Sequence, residues 1–111
     1  MIRKKLTAEE ILQMLKKHKD DLKKYKVKGI ALFGSYVKRE QKKDSDIDLI
    51  VEFDLNSFNK DFEGLFETFM DLSNYFETLF GKKVDILTPD SIKTIRIKEV
   101  AEEIKKSAIY V

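Results

Sequence analysis

The sequence predicts an α/β domain, because helical and strand-like segments alternate along its 111 residues. Apolar residues recur at helical spacing over residues 62–80, whereas three shorter apolar runs, at 27–33, 46–53 and 82–87, have the length of strands. A chain of this length encloses one hydrophobic core. We therefore expect a single domain over residues 1–111, with no separate substrate domain.

The first predicted element is a helix that begins after Thr7. Thr7 and Glu10 have the spacing of a capping box, in which each side chain bonds the other residue's backbone N–H. The apolar residues that follow share one face and predict a helix that runs to Lys24. The opposite face is rich in lysine, and we expect it, with His18, at the surface.

Two strands are expected next, separated by a turn. The first runs from Val27 to Phe33 and ends at Gly34. A short helix from Ser35 to about Glu40 follows, and the second strand runs from Asp46 to Phe53. Its apolar residues 49–51 are typical of a strand that is buried on both faces.

The most regular helical pattern lies in the second half of the chain, and we expect its apolar residues to form core rather than a ligand pocket. These residues are Phe62, Leu65, Phe66, Phe69, Leu72, Phe76, Leu79 and Phe80. Gly81 stands where a helix C-cap is expected. A third strand, 82–87, ends before Pro89, and residues 90–111 predict one or two short helices packed on the sheet.

The spacing of two aspartates in the second predicted strand indicates a metal site. Asp46 and Asp48 would project to the same side of the second strand, because side chains alternate along a strand. Adjacent like charges are costly unless a cation neutralises them, and Mg2+ prefers carboxylate oxygens together with substrate phosphates. Eleven residues before Asp46, the Gly34-Ser35 turn offers close backbone approach and a hydroxyl to such a phosphate.

Asp85 is the third candidate acid. It lies in the otherwise apolar third strand, where a buried, unpaired carboxylate would be costly and a metal ion would be a suitable partner. The sequence does not place this strand beside the second one. Glu52 and Asp54 have the same parity as Asp48, but we expect them at the solvated end of the strand.

The motifs together resemble the minimal nucleotidyltransferases of the DNA polymerase beta-like superfamily. The resemblance rests on Gly34-Ser35, the spacing to Asp46-Ile47-Asp48, and Val84-Asp85-Ile86, and it covers residues 27–87 with a looser continuation to Val111. It implies a mixed sheet that is flanked by helices. It implies ATP as the substrate. It also implies two Mg2+ ions on the three aspartates, with Asp85 near the incoming hydroxyl.

Two basic residues depart from the pattern of that family. Its members commonly carry a basic residue followed by glycine shortly after the Gly-Ser pair, whereas this chain has Lys38 and then Arg39. Lysine binds phosphate as a point charge, without the two-pronged geometry of arginine. We expect one or both of these residues to contact the triphosphate.

The resemblance implies an Mg2+-dependent enzyme that moves AMP from ATP to a protein hydroxyl. The implied acceptor is a tyrosine of a HEPN-domain ribonuclease toxin, for which this chain would be the antitoxin. The alternative is a non-catalytic antitoxin that neutralises its partner by contact. Transfer to a small-molecule hydroxyl and polymerisation on nucleic acid are less favoured, because the chain shows neither an added domain nor a template-binding region.

The amino-acid composition limits which other functions and locations are expected. The absence of cysteine excludes disulfides and thiolate chemistry, and the net charge of +2 gives no support to direct nucleic-acid binding. No signal peptide or membrane-spanning stretch is evident, so a cytoplasmic location is expected. A homo-oligomer remains open, since Phe58 or exposed parts of the Phe-rich helix could contact a second copy or a toxin.

Overall fold

The structure is a computed structural model that describes residues 6–40, 45–58 and 64–111. Its centre is a four-stranded mixed sheet in the order β3-β2-β1-β4. Strand β1 is antiparallel to β2 and β4, whereas β2 and β3 are parallel. The strands are β1 (Val27–Phe33), β2 (Ile47–Phe53), β3 (Val84–Leu87) and β4 (Ile109–Tyr110). The expected mixed sheet is confirmed.

Helices cover both faces of this sheet. In the described ranges they are α1 (Ala8–Lys17), α2 (Lys19–Lys24), α3 (Leu65–Phe80), α4 (Pro89–Lys93) and α5 (Lys98–Ser107). Two short 3-10 turns, Gly34–Tyr36 and Leu55–Ser57, follow the ends of β1 and β2. No helix in the described part of the chain is long and apolar enough to span a membrane.

Among the described residues, the core consists of two apolar clusters, one on each side of the sheet. Helices α1, α2 and α3 contribute Leu15, Leu22 and Phe76 to the larger cluster, and Ile92 of α4 joins the smaller one. The central residues of β2 reach both clusters, with Leu49 and Val51 facing one and Ile50 facing the other. The predicted burial of β2 on both faces is therefore confirmed.

The first helix begins where the sequence predicted, but the prediction of one unbroken helix to Lys24 is wrong. The Thr7 hydroxyl accepts the backbone N–H of Glu10 at 3.2 Å, as a capping residue does. The helix does not continue unbroken to Lys24, because His18 leaves helical geometry at φ −99° and ψ 17°. Lysines end α1 and aspartates begin α2, so each half has charges that suit its own dipole.

The strands follow the sequence prediction closely, with one omission. The limits of β1 are confirmed, and β2 and β3 begin one and two residues later than expected, at Ile47 and Val84. Strand β4 was not predicted. It has only two residues, too few for an alternating pattern, and the Val111 N–H donates to the Ile30 carbonyl at 3.0 Å beside it.

Two aromatic residues differ in their placement from what the sequence suggested. Phe66 was predicted in the core but is 74% exposed, because the buried face of α3 passes through Leu72 and Phe76. Phe58, a candidate for contact with a partner, is instead buried, with the Lys26 ammonium 4.2 Å from its ring centroid. Gly81 ends α3 at φ +65°, as predicted, and Phe62 lies outside the described residues.

Candidate active site

Strand register brings the candidate site together. Asp48 on β2 is paired with Phe33 on its β1 side and with Asp85 on its β3 side. Gly34 follows Phe33 directly and begins the turn after β1. The structure therefore places the Gly-Ser turn, the second aspartate and the third aspartate side by side across three neighbouring strands.

Gly34 lies directly against the Asp48 side chain. Its φ of +80° is in the left-handed region that favours glycine. A Cβ atom at this position would lie 3.1 Å from the Asp48 Cγ and 3.2 Å from its Cβ, and it would overlap a carboxylate oxygen. Both the backbone conformation and the contact with Asp48 therefore require glycine here.

The segment after Gly34 is compact. The predicted helix from Ser35 to Glu40 is instead a 3-10 turn over Gly34–Tyr36 and a further turn. The Lys38 N–H donates to the Gly34 carbonyl at 3.1 Å, and the Glu40 N–H donates to the Ser35 carbonyl at 2.9 Å. Tyr36 is buried and anchors the segment, which holds Ser35 next to the glycine that touches Asp48.

The acidic residues influence one another electrostatically. Burial, together with the nearby charges of Asp85 and Asp46, raises the pKa of Asp48 to about 6. Asp46 precedes the first residue of β2, so strand alternation does not itself explain its approach to Asp48. The site thus has excess negative charge at the start of two parallel strands.

Asp85 differs from the expectation in its burial. It was predicted to need a partner because it would be buried, but the structure exposes it, so that reason is wrong. Asp48 is the partly buried acid of the pair. The difference arises because β3 lies at the edge of the sheet, where one flank has no neighbouring strand among the described residues.

The donor set suits a hard cation, although its members do not converge. Within residues 6–40, 45–58 and 64–111, no three acidic, histidine or cysteine side chains are arranged to hold a metal ion. Burial is the largest cause of the raised pKa of Asp48, and the negative charges of Asp85 and Asp46, which a divalent cation would neutralise, add to it. By donor chemistry, these three residues fit Mg2+.

The two basic residues are paired with carboxylates of distant helices. The Lys38 ammonium pairs with Glu103 on α5, and the Arg39 guanidinium donates to Glu9 on α1 at 2.8 Å. Neither partner could be predicted from the sequence, because each lies far away along the chain. Arg39 has a φ of +59°, so the position at which relatives were expected to carry glycine has a glycine-like backbone.

Replacing Arg39 should measure the cost of that backbone conformation. We expect the Arg39→Gly variant to be more stable than Arg39→Ala by about 1 kcal/mol, because both lose the side chain but only alanine keeps a Cβ at positive φ. Denaturant unfolding of both variants provides the comparison. Equal stability would mean that the left-handed conformation carries no cost.

The pKa of Asp48 leads to a pH-dependent prediction. The folded state binds this proton more tightly than the unfolded chain, in which the pKa of Asp48 is near 3.8, so the contribution of Asp48 to stability should fall as pH rises from about 4 to about 6. In EDTA, Asp48→Asn should leave stability near pH 4 unchanged and raise it at pH 7 by about 1 kcal/mol, after allowance for solvent screening. Denaturant unfolding at the two pH values measures this, and an effect independent of pH would contradict it.

A polar cluster between α2 and α3 lies outside the candidate site. The Tyr75 hydroxyl donates to Asp21 at 3.3 Å, and His18 Nδ1 lies 3.3 Å from the same carboxylate oxygen. Hydrogen bonding from His18 lowers the pKa of Asp21, and burial raises that of Tyr75. The cluster joins two helices and supports a structural role for His18, which is only partly exposed.

Comparison with known sequences gives a consistent result. The Nucleotidyltransferase domain family matches residues 15–111. A relative from Methanocaldococcus jannaschii, provisionally named protein adenylyltransferase MJ1379, is 47% identical over 98 residues, which cover 87% of this chain and 93% of the relative. Protein adenylyltransferase MntA from Thermococcus cleftensis is 39% identical over 101 residues, covering 89% and 94% of the two chains.

Solved structures share the fold. One provisionally described as a minimal nucleotidyltransferase has a TM-score of 0.66 at 23% identity, covering 94% of this chain and 95% of the other. A second, described as a toxin-antitoxin with AMP-PNP, has a TM-score of 0.56 at 19% identity, covering 95% and 72%. These two likenesses support the arrangement of helices and strands described above.

Proposed function

The chain belongs to the nucleotidyltransferase family, and we propose that it transfers AMP from ATP to a hydroxyl of a partner protein. The observation that carries the proposal is the contact of the Gly34 turn with Asp48, which is itself in register with Asp85. This arrangement puts a possible phosphate-binding turn beside acidic residues suited to a metal ion. Relatives named as protein adenylyltransferases support AMP as the transferred group.

Each residue of the site has a proposed role. Asp46, Asp48 and Asp85 would hold Mg2+, which when bound supplies charge neutralisation at the attacking and leaving oxygens. The Gly34 backbone and the Ser35 hydroxyl would orient the phosphates against these carboxylates. Lys38 would contribute positive charge to the triphosphate one turn further along.

The proposed reaction is a displacement at the α-phosphorus. The acceptor hydroxyl oxygen forms a bond to that phosphorus, and the bond to the oxygen bridging the α- and β-phosphates breaks, releasing pyrophosphate. Asp85 is proposed to take the hydroxyl proton, because it is the exposed acid in register with Asp48. Its place at the sheet edge leaves it accessible to a macromolecular acceptor.

We propose that the acceptor is a tyrosine of a HEPN-domain toxin, with this chain as the antitoxin. The relative named MntA and the fold shared with a structure described as a toxin-antitoxin with AMP-PNP support a toxin partner and ATP as the substrate. The tyrosine and the HEPN domain rest on the resemblance to the minimal nucleotidyltransferases. Use of ATP and an intracellular toxin would place the reaction in the cytoplasm.

Transfer of labelled AMP tests this proposal. The purified chain is incubated with Mg2+, ATP labelled at the α-phosphate and a HEPN-domain toxin from the same organism. We expect label on one toxin tyrosine and no label when that tyrosine is replaced with phenylalanine. Retention of all label in ATP, under conditions where the chain binds a non-hydrolysable ATP analogue, would contradict protein AMP transfer.

A contact-only antitoxin is the second candidate function. Two observations favour it: the described acids do not converge as a metal site, and both Lys38 and Arg39 are paired with glutamates. A variant with Asp46, Asp48 and Asp85 all replaced by asparagine distinguishes the two functions. Neutralisation of the toxin by this variant would support contact alone, and loss of neutralisation with retained toxin binding would support catalysis.

A further inference from the structure

The two basic side chains that follow the Gly34 turn are both paired with glutamates. Lys38 pairs with Glu103 near the end of the chain, and Arg39 pairs with Glu9 near its start. Both cations therefore have a carboxylate partner before any nucleotide is bound. A triphosphate that binds either cation therefore competes with a glutamate for it.

We propose that Glu103 is a positioning residue that competes with the nucleotide triphosphate for Lys38, and so sets the affinity for ATP and links its binding to helix α5. This inference rests on the proposed nucleotidyltransferase function. In the free protein, Glu103 holds the Lys38 ammonium. In the nucleotide complex, phosphate oxygens replace the Glu103 carboxylate.

The position of Lys38 supports the competition. Its N–H donates to the carbonyl of Gly34, the residue that lies against Asp48, so Lys38 is one turn away from the acidic site. The Lys38 and Glu103 side chains are 40% and 59% exposed, so phosphate can reach the lysine without unfolding of the core. A triphosphate presents several negative oxygens, whereas Glu103 presents one carboxylate.

The charges of the two residues are mutually dependent. The hydrogen bond and the charge of Glu103 raise the pKa of Lys38, and Lys38 lowers the pKa of Glu103 in turn. The two directions agree, as expected for a direct ion pair. Since both side chains are well exposed, the pair is weak enough for a ligand to open.

Helix α5 is suited to respond to the opening of this pair. None of its side chains is fully buried, and it contacts the smaller core cluster through Ala101 and Ile104, which are only partly buried. The ion pair of Glu103 with Lys38 joins α5 directly to the turn. Displacement of Glu103 by phosphate removes that link.

Titration of Glu103→Gln with a non-hydrolysable ATP analogue and Mg2+ tests the inference. We expect the affinity of this variant to rise about twofold to fivefold over wild type, the range that corresponds to an exposed ion pair. Glu102→Gln is the matched control, because Glu102 is adjacent on α5, 63% exposed and paired with Lys98 at 3.9 Å. Its affinity should equal that of the wild type.

A double-variant cycle distinguishes competition from a general effect on folding. In a Lys38→Met background, Glu103→Gln should give no gain in affinity, because the competing pair is already absent. When Lys38 is present, the gain in affinity from Glu103→Gln should also be smaller at high salt, since exposed charges are screened.

Unchanged or weaker binding by Glu103→Gln overturns the inference, as does an equal gain in the Lys38→Met background. Either result leaves the proposed function intact provided that the wild type binds the analogue with Mg2+. If the folded wild type binds no analogue, the proposed nucleotidyltransferase function fails and the inference fails with it. The two failures are therefore distinguishable in one set of titrations.

Discussion

Asp48→Asn is expected to lower the rate of AMP transfer at least about 1,000-fold, because it removes the anionic oxygen at the centre of the proposed metal site. Asp48 lies between Gly34 and Asp85, and its pKa is raised first by burial and then by the negative charges of Asp85 and Asp46. Asparagine has nearly the same shape, so the fold should be retained. Initial rates of labelled AMP transfer at saturating ATP measure the effect.

Glu52→Gln is the matched control for this variant. Glu52 lies on the same strand at the same parity, but near its other end, where it pairs with Lys28 at 3.8 Å. The same loss of one negative charge should leave the rate within about twofold of the wild type, because surface substitutions away from the site are nearly neutral. If Asp48→Asn keeps more than one tenth of the wild-type activity, Asp48 is not a required metal ligand.

Gly34→Ala is expected to destabilise the fold and to abolish nucleotide binding together. A Cβ at φ +80° is strained, and it would also displace the Asp48 carboxylate. Strain and overpacking should together cost about 2–5 kcal/mol in the free energy of unfolding. Denaturant unfolding and analogue titration of the folded fraction measure the two effects separately.

Gly81→Ala separates the strain from the overlap. Gly81 also has a positive φ, +65°, but its Cβ would meet no described atom within 4 Å beyond the local backbone and the two adjacent residues. This variant should cost only about 1 kcal/mol and leave nucleotide affinity unchanged. Equal destabilisation by the two variants, with nucleotide binding retained in both, would show that contact between Gly34 and Asp48 has no functional importance.

Local sequence signals predicted the elements well where the pattern was long or chemically specific. The limits of β1, the burial of residues 49–51 and the left-handed Gly81 all followed from residue type and spacing. Strand β4 escaped prediction because two residues carry no periodicity. The break at His18 was not predicted, because the apolar face continues across it and only the backbone angles depart from helical values.

The candidate site was predicted in its residues but not in its geometry. The motif named Gly34, Asp48 and Asp85, and only the sheet order shows that they are neighbours. Burial of Asp85 was wrongly expected, since a sequence cannot tell an edge strand from a central one when both are apolar. The glutamate partners of Lys38 and Arg39 depend on tertiary packing, which no local pattern reports.

Isothermal titration with a non-hydrolysable ATP analogue tests the central claim most directly, because it requires no knowledge of the acceptor. Wild type and an Asp46→Asn/Asp48→Asn variant are titrated with and without Mg2+, after circular dichroism has shown that both are folded. Binding by the wild type that requires Mg2+ and is lost in the variant is the result we expect. Equal binding by both proteins, or no binding by the folded wild type, would contradict a metal-dependent nucleotide site at Gly34 and Asp48.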